Sequence, residues 1–198
     1  MTIAPFISVI IPTYNRSDAI GLTFQHLTQQ TLPPDQFEVI VVDDGSSDDT
    51  DRIITSQSWR FSLIYLRQSN KGAASARNLG VSQAQGDLLL FLDSDVIVDP
   101  HCITHHLRSQ QQYQNRPVLG RMKPWQTSWR PWYEKMIEPE SAGRDYGDQP
   151  KDLPFFFAYS CNLSIARTIF EQIGGFDESF PASGFEDTEF AYRMEMLG

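Results

Sequence analysis

The sequence predicts an α/β domain built on a doubly wound, mostly parallel sheet flanked by helices. Two observations predict it. Four near-continuous apolar runs of strand length, Phe6 to Ile11, Phe37 to Val42, Phe61 to Leu66 and Leu88 to Leu92, suit strands covered on both faces, as a parallel sheet requires. Helical stretches separate them, and that alternation belongs to βαβ units. At 198 residues and 40% hydrophobic, the chain can bury one full-sized core without a disulfide or structural metal.

Taken in order, the first run is followed by Ile20, Phe24 and Leu27 at i, i+4 and i+7. Asn15, with Asp18 three residues later, reads as the cap of that helix. Asp49 to Gln57 offers a second short helix and Gly72 to Ala84 a third, whose small residues Ala73, Ala76, Gly80 and Ala84 allow close approach to the sheet. Beyond the fourth strand, His101 to Gln112 looks helical, and residues 114 to 152 read as irregular or mobile chain. Phe155 to Ile165 returns to a strand-like pattern. Arg167 to Ile173 forms a short helix ended by Gly174 and Gly175, and Thr188 to Leu197 another with Phe190, Met194 and Leu197 on one face. The chain stops directly after that face, which suggests a shortened piece of something longer.

Charge and cysteine usage exclude several classes. A formal charge of -9 repels phosphodiester backbones and anionic headgroups, so nucleic acid is not an expected partner. A phosphate-bearing ligand would call for a divalent cation to screen the carboxylates. Cys102 and Cys161 stand far apart with no metal-ligand spacing and read as thiols of a reducing compartment. The N-terminus lacks the basic region of a signal peptide, and no apolar stretch approaches the roughly 20 residues of a membrane span. A cytoplasmic place is expected, with a peripheral position at the inner face of a membrane left open.

Parallel strands deliver the residues that follow them to one edge of the sheet, where doubly wound folds bind ligands. Those exits are Pro12-Thr13-Tyr14-Asn15, Asp43-Asp44-Gly45-Ser46-Ser47 and Asp93-Ser94-Asp95. Carboxylates gathered there repel one another unless a cation or a donor sits among them. Side-chain alternation along extended chain would point Asp93 and Asp95 the same way, as hard oxygen ligands for Mn²⁺ or Mg²⁺ holding a diphosphate. A turn closing the strand accounts for the same pair without a ligand. Asp43 suffices to cap the turn after the second strand. Asp44 is better explained as acceptor for a nucleobase ring N–H, and a carboxylate cannot choose between uracil and guanine. Asn70 to Asn78 opens the third helix, where Arg77 supplies positive potential or is a plain surface charge. Neither a P-loop nor a G-x-G-x-x-G occurs. Glu186-Asp187 begins the last helix, as caps of its N-terminus or as a general base held beside the crevice.

Ser8-Val-Ile-Ile-Pro-Thr-Tyr-Asn-Arg16, Val42-Asp-Asp-Gly-Ser-Ser-Asp-Asp-Thr50, Asn70-Lys-Gly72 with Ala76-Arg-Asn-x-Gly80, Phe91-Leu-Asp-Ser-Asp-Val96, Gly174-Gly-Phe-Asp-Glu178 and Glu186-Asp187 resemble, in order, the family 2 glycosyltransferases of GT-A fold. The resemblance implies a nucleotide-binding half over residues 1–99 and an acceptor-side half over 100–198. It further implies an inverting transferase that uses a nucleotide-diphosphate sugar, a UDP-sugar by preference, and a divalent metal. Carried onto this sequence, Thr13, Tyr14 and Asp44 would hold the base, with Pro12 beside them among the substrate-binding residues, and Asn70 and Arg77 would line the nucleotide. Asp93 would face ribose and metal, Asp95 would ligate the metal, and Asp187 would be the catalytic base. The acceptor is a hydroxyl on a sugar, a lipid-linked molecule or another carrier.

The sequence departs from the family in lacking a downstream histidine and the Q-x-x-R-W element of processive synthases, which favours single-sugar transfer. His101 and His105, at i and i+4, read as a solvated helix face. Trp125, Trp129, Trp132 and Tyr133 crowd into the span expected to set acceptor specificity, either as core or as an aromatic wall. The competing functions are a non-catalytic nucleotide-sugar-binding domain, a sugar nucleotidyltransferase and a glycoside hydrolase. The second lacks its Gly-rich loop here, and the third would not need Asp93 and Asp95.

Overall fold

The computed structural model describes residues 6–114, 116–122, 158–180 and 184–197. Its strands are β1 (Ile7–Thr13), β2 (Phe37–Asp43), β3 (Ser62–Arg67), β4 (Leu88–Leu92), β5 (Val118–Leu119) and β6 (Asn162–Ala166). The helices are α1 (Ile20–Leu27), α2 (Thr50–Thr55), α3 (Ala73–Gln83), α4 (Cys102–Gln112), α5 (Arg167–Ile173) and α6 (Glu186–Met196). They build one six-stranded sheet in the order β3-β2-β1-β4-β6-β5. The first four strands in that order run parallel, while β6 runs antiparallel to both β4 and β5. This is the expected architecture, mostly parallel and wound in both directions from β1.

Apolar side chains alternate between two cores because neighbouring residues of a strand face opposite sides. Ile7, Val9 and Ile11 of β1 and Leu88, Leu90 and Leu92 of β4 pack with Phe24 and Leu27 of α1, Ile54 of α2 and Ile103 of α4. On the other face Ile10, Leu89 and Phe91 meet Ala76 of α3, Phe170 of α5 and Phe190 of α6. Gly80 shows why α3 carries small residues: a Cβ there would lie 2.6 Å from the Ile10 Cγ2.

Three local expectations are corrected. Asn15 and Asp18 do not cap α1, which starts after Ala19 without a side-chain cap. Asn15 sits at φ 49° and turns its amide oxygen to the Ser47 N–H instead. Leu197 does not join the buried face of α6, for it is 54% exposed whereas Phe190 is fully buried. Of the strand-like pattern expected over Phe155 to Ile165, residues 155–157 lie outside the described residues, 158–161 are loop and turn, and β6 starts at Asn162. Trp125, Trp129, Trp132 and Tyr133 lie outside the described residues. Among the described residues, no helix is long and apolar enough to cross a membrane.

Candidate active site

The site grows from the carboxyl edge of the sheet, where β1 and β2 end in register at Thr13 and Asp43 and β4 runs parallel beside β1. The β1–α1 loop ties these exits together. The Asp44 N–H donates to the Thr13 carbonyl at 2.8 Å, the Asn15 N–H to the Ser46 Oγ at 2.8 Å and the Arg16 N–H to the Thr50 Oγ1 at 2.9 Å. The Arg16 guanidinium stands 3.8 Å from the Asp95 carboxylate. Asp44 and Asp95 therefore border the same short loop, on the same side of the molecule.

Asp43 and Asp44 divide their work as local geometry dictates. Fully buried, Asp43 accepts from the Ser46 N–H at 2.7 Å and the Tyr65 hydroxyl at 2.8 Å, with Arg67 at 3.8 Å. Burial, then the Asp43 carboxylate, pushes the Tyr65 phenol up to about 12. Asp44 turns the other way, accepting from Gln68 Nε2 at 2.7 Å and from the backbone N–H groups of Lys71 and Gly72 at 2.8 Å. It thereby pins the loop that starts α3. Gly45, at φ +84°, lets that loop come close, since a Cβ would meet the Asn70 nitrogen at 3.1 Å. A carboxylate has about four acceptor positions, so these three bonds leave Asp44 one for a ring N–H. Around it, Pro12 is buried, Tyr14 is 48% exposed, Asn70 is exposed, and the buried Thr13 Oγ1 has no protein partner.

Arg77 is the centre of the acidic side. It is 4% exposed, which removes the surface-charge reading. Its Nη1 lies 3.1 Å from Glu186 and 3.5 Å from Asp187, its Nη2 lies 3.3 Å from Asp93, and the guanidinium carbon sits 5.3 Å from the Phe176 ring centre. Burial opposes the charge, but Asp187, Asp93 and Glu186 outweigh it and hold the guanidinium above its ordinary range. Glu186 also accepts the Gly184 N–H, while Asp187 accepts the hydroxyl and the N–H of Ser160 at 2.6 and 3.2 Å. The pair at the start of α6 thus reaches outward to Arg77 and Ser160.

Asp93 and Asp95 occupy a turn, so the alternation expected of extended chain does not apply. Asp93 faces Arg77 and Asp95 faces Arg16; Ser94 between them is buried, its carbonyl taking the Thr23 hydroxyl at 2.9 Å. The Asp93 carboxyl is raised by burial, with Asp187 and Asp95 adding to the rise and Arg77 opposing it. A divalent cation beside the turn would relieve that repulsion. Among the described residues, no group of three or more His, Cys, Asp or Glu is arranged to hold a metal ion. Two carboxylates in a turn still fit Mn²⁺ or Mg²⁺, which is commonly held by one or two carboxylates and completed by substrate phosphates and water.

Ser160, Glu186 and Phe176 join this constellation beside the residues expected from the sequence. Glu186 stands next to Asp187 and Phe176 lies within the Gly174–Glu178 motif, whereas nothing in the sequence marks Ser160. His101 and His105 are exposed with ring centres 6.0 Å apart, in keeping with a solvated face. Their neighbour His106 is buried in contact with Asn162 and Ser164 of β6.

Comparison with known proteins follows the same lines. The family model described as glycosyl transferase family 2 matches residues 8–174. A validoxylamine A glucosyltransferase of Streptomyces hygroscopicus subsp. limoneus is 33% identical over 220 residues, covering 98% of this chain and 49% of that protein. The chain thus spans about half the length of the curated relatives it matches first. A Staphylococcus aureus TarS fragment in complex with UDP-GlcNAc superimposes with a TM-score of 0.74 at 23% identity, covering 96% of this chain and 53% of that one. The Pyrobaculum calidifontis mannosyltransferase PcManGT, in complex with GDP-Man and Mn²⁺, gives a TM-score of 0.69 at 21% identity, covering 100% and 54%. At those identities the two structures speak for the fold. With the family model spanning most of its length and the carboxylate loops in the expected order, the chain belongs to glycosyl transferase family 2.

Proposed function

We propose that this domain transfers a sugar from a nucleotide-diphosphate donor, a UDP-sugar first among them, to an acceptor hydroxyl by a single inverting displacement. The observation that carries the reading is the Arg77 guanidinium, which joins Asp93 on the donor side to Asp187 at the start of α6. Tyr14, the orphaned Thr13 hydroxyl and the remaining acceptor position of Asp44 offer the base a stacking face and polar partners. Asp93 and Asp95 would hold the divalent ion, whose chemistry when bound is to stabilise charge on the departing diphosphate. Asp187 takes the proton from the acceptor hydroxyl. The acceptor oxygen then attacks the anomeric carbon from the face opposite the nucleotide, forming the new glycosidic bond as the bond to phosphate breaks, and one displacement inverts the centre. The UDP-GlcNAc and GDP-Man held by the two similar structures support a sugar nucleotide as the donor class.

The test is a thermal-shift and turnover screen with UDP-glucose, UDP-GlcNAc and GDP-mannose in the presence of Mn²⁺. Asp187→Asn is expected to keep the donor-induced shift and to lose turnover by about 10²–10⁴-fold, the share ordinarily supplied by a general base. Unaltered turnover in that variant removes Asp187 from the role, and no response to any sugar nucleotide removes the reading itself.

A further inference from the structure

A carboxylate acts as a base only when its lone pair is aimed at the proton it takes, and an aspartate side chain turns about two bonds. Asp187 is held at both oxygens. Ser160 gives its hydroxyl proton to Oδ1 at 2.6 Å and its N–H to Oδ2 at 3.2 Å, and Arg77 Nη1 stands 3.5 Å from Oδ1. Ser160 is 1% exposed, so water does not compete for its hydroxyl, whereas the Asp187 side chain keeps 19% exposure. The next residue, Cys161, accepts the Asp93 N–H on its carbonyl at 3.3 Å. One dipeptide therefore touches both the base and the Asp93 turn.

We propose that Ser160 is the positioning residue of the site, orienting the Asp187 carboxylate toward the acceptor hydroxyl, an inference that rests on the reading of Asp187 as base. Without a second anchor, Arg77 would draw Asp187 into the carboxylate cluster it shares with Glu186 and Asp93. Ser160 supplies the counter-pull. Its single hydroxyl proton is spent on Oδ1, so it aims the base and carries no proton in the reaction.

The experiment compares Ser160→Ala and Ser160→Thr with the wild type, using UDP-glucose and Mn²⁺. The alanine variant is expected to lose about 10–100-fold in kcat, the usual range for an orienting partner. Its donor KM should stay within about twofold and threonine should restore most of the rate, because only orientation has changed. A merely structural role predicts the opposite split: a lowered Tm with kcat per folded molecule intact. Wild-type kcat in Ser160→Ala overturns the proposal. Crystal structures of wild type and the alanine variant decide it even if the wild type turns over no sugar nucleotide, an outcome that would count against the proposed function instead. The Asp187 carboxylate is expected to leave its place, and one that stays where it was overturns the positioning role.

Discussion

A guanidinium that is 4% exposed and faces three carboxylates is the residue on which the acidic side of the site is assembled. Arginine suits the place because its planar fork meets several acceptors at once and keeps its charge when desolvated. His106 is the contrasting buried group. Its Nε2–H donates to the Asn162 Oδ1 at 2.9 Å, a tautomer assigned from that acceptor, and Nδ1 takes the Ser164 hydroxyl proton at 2.8 Å. Burial lowers its imidazole from 6.5 to about 4. The unfolded chain therefore binds a proton below pH 6.5 that the native state refuses until about pH 4, so stability falls as pH drops through that window. Between pH 6.5 and 5, above the carboxylate range, the loss is expected at about 1–2 kcal/mol, and urea unfolding of His106→Gln should show a flatter pH dependence. At this scale the sequence was partly legible. Asp93 and Asp95 announced themselves by ending the most apolar run in the chain, and Arg77 stood out among alanines and glycines. The role of Arg77 was not legible, since Glu186 is 109 positions away and only the fold brings it near. Ser160 sat in an ordinary strand-like stretch with nothing to mark it.

Among the elements, β1, β2 and β4 were the clearest part of the sequence, because burial on both faces leaves a long apolar run, and β4 begins and ends where that run does; β3, expected to be covered on both faces, is a half-buried edge strand, and β5 falls in a span that reads as irregular. The helix ends were less clear, since α1 begins without a side-chain cap and the polar residues before it serve the neighbouring loop. Asp48 illustrates this: its carboxylate accepts from the Ser17 N–H and from Thr50, and those bonds draw its pKa well below the usual range. Helix α3 is where element packing controls the site, because it carries both Arg77 and Gly80. Asn78 on the same helix exchanges bonds with the Phe176 backbone at 2.8 and 2.9 Å, which keeps the Phe176 ring under the guanidinium. Gly80→Val is expected to cost about 1–3 kcal/mol in unfolding free energy, as forced overpacking does. The fully buried Ile10 has no room to give, so an unchanged urea midpoint would mean that α3 does not press on β1 as described.

For the molecule as a whole, a net charge of -9 sets the terms on which an anionic donor is received. The site compensates with Arg77 and Arg16 on the Asp93–Asp95 turn, but both guanidinium groups already have carboxylate partners. Chelation with EDTA is therefore expected to weaken UDP-sugar binding by at least about tenfold, or 1.4 kcal/mol, in calorimetry, with Mn²⁺ restoring it. Equal affinity with and without the cation would mean that protein donors alone neutralise the diphosphate. The reversal of β6 has a consequence of its own. Because it runs against β4, with Asn162 beside Leu92, its beginning lies where β4 ends, and this brings Ser160 to the Asp93 turn. Along it Asn162 and Ser164 turn to His106 while Leu163 and Ile165 enter the opposite core. A slip of one residue would exchange those two sets and carry Ser160 away from Asp187. If Asp187 is the base proposed above, the accuracy with which it collects a proton is inherited from the ladder of a five-residue strand, and an insertion there is expected to silence the chemistry while sparing the proposed nucleotide pocket.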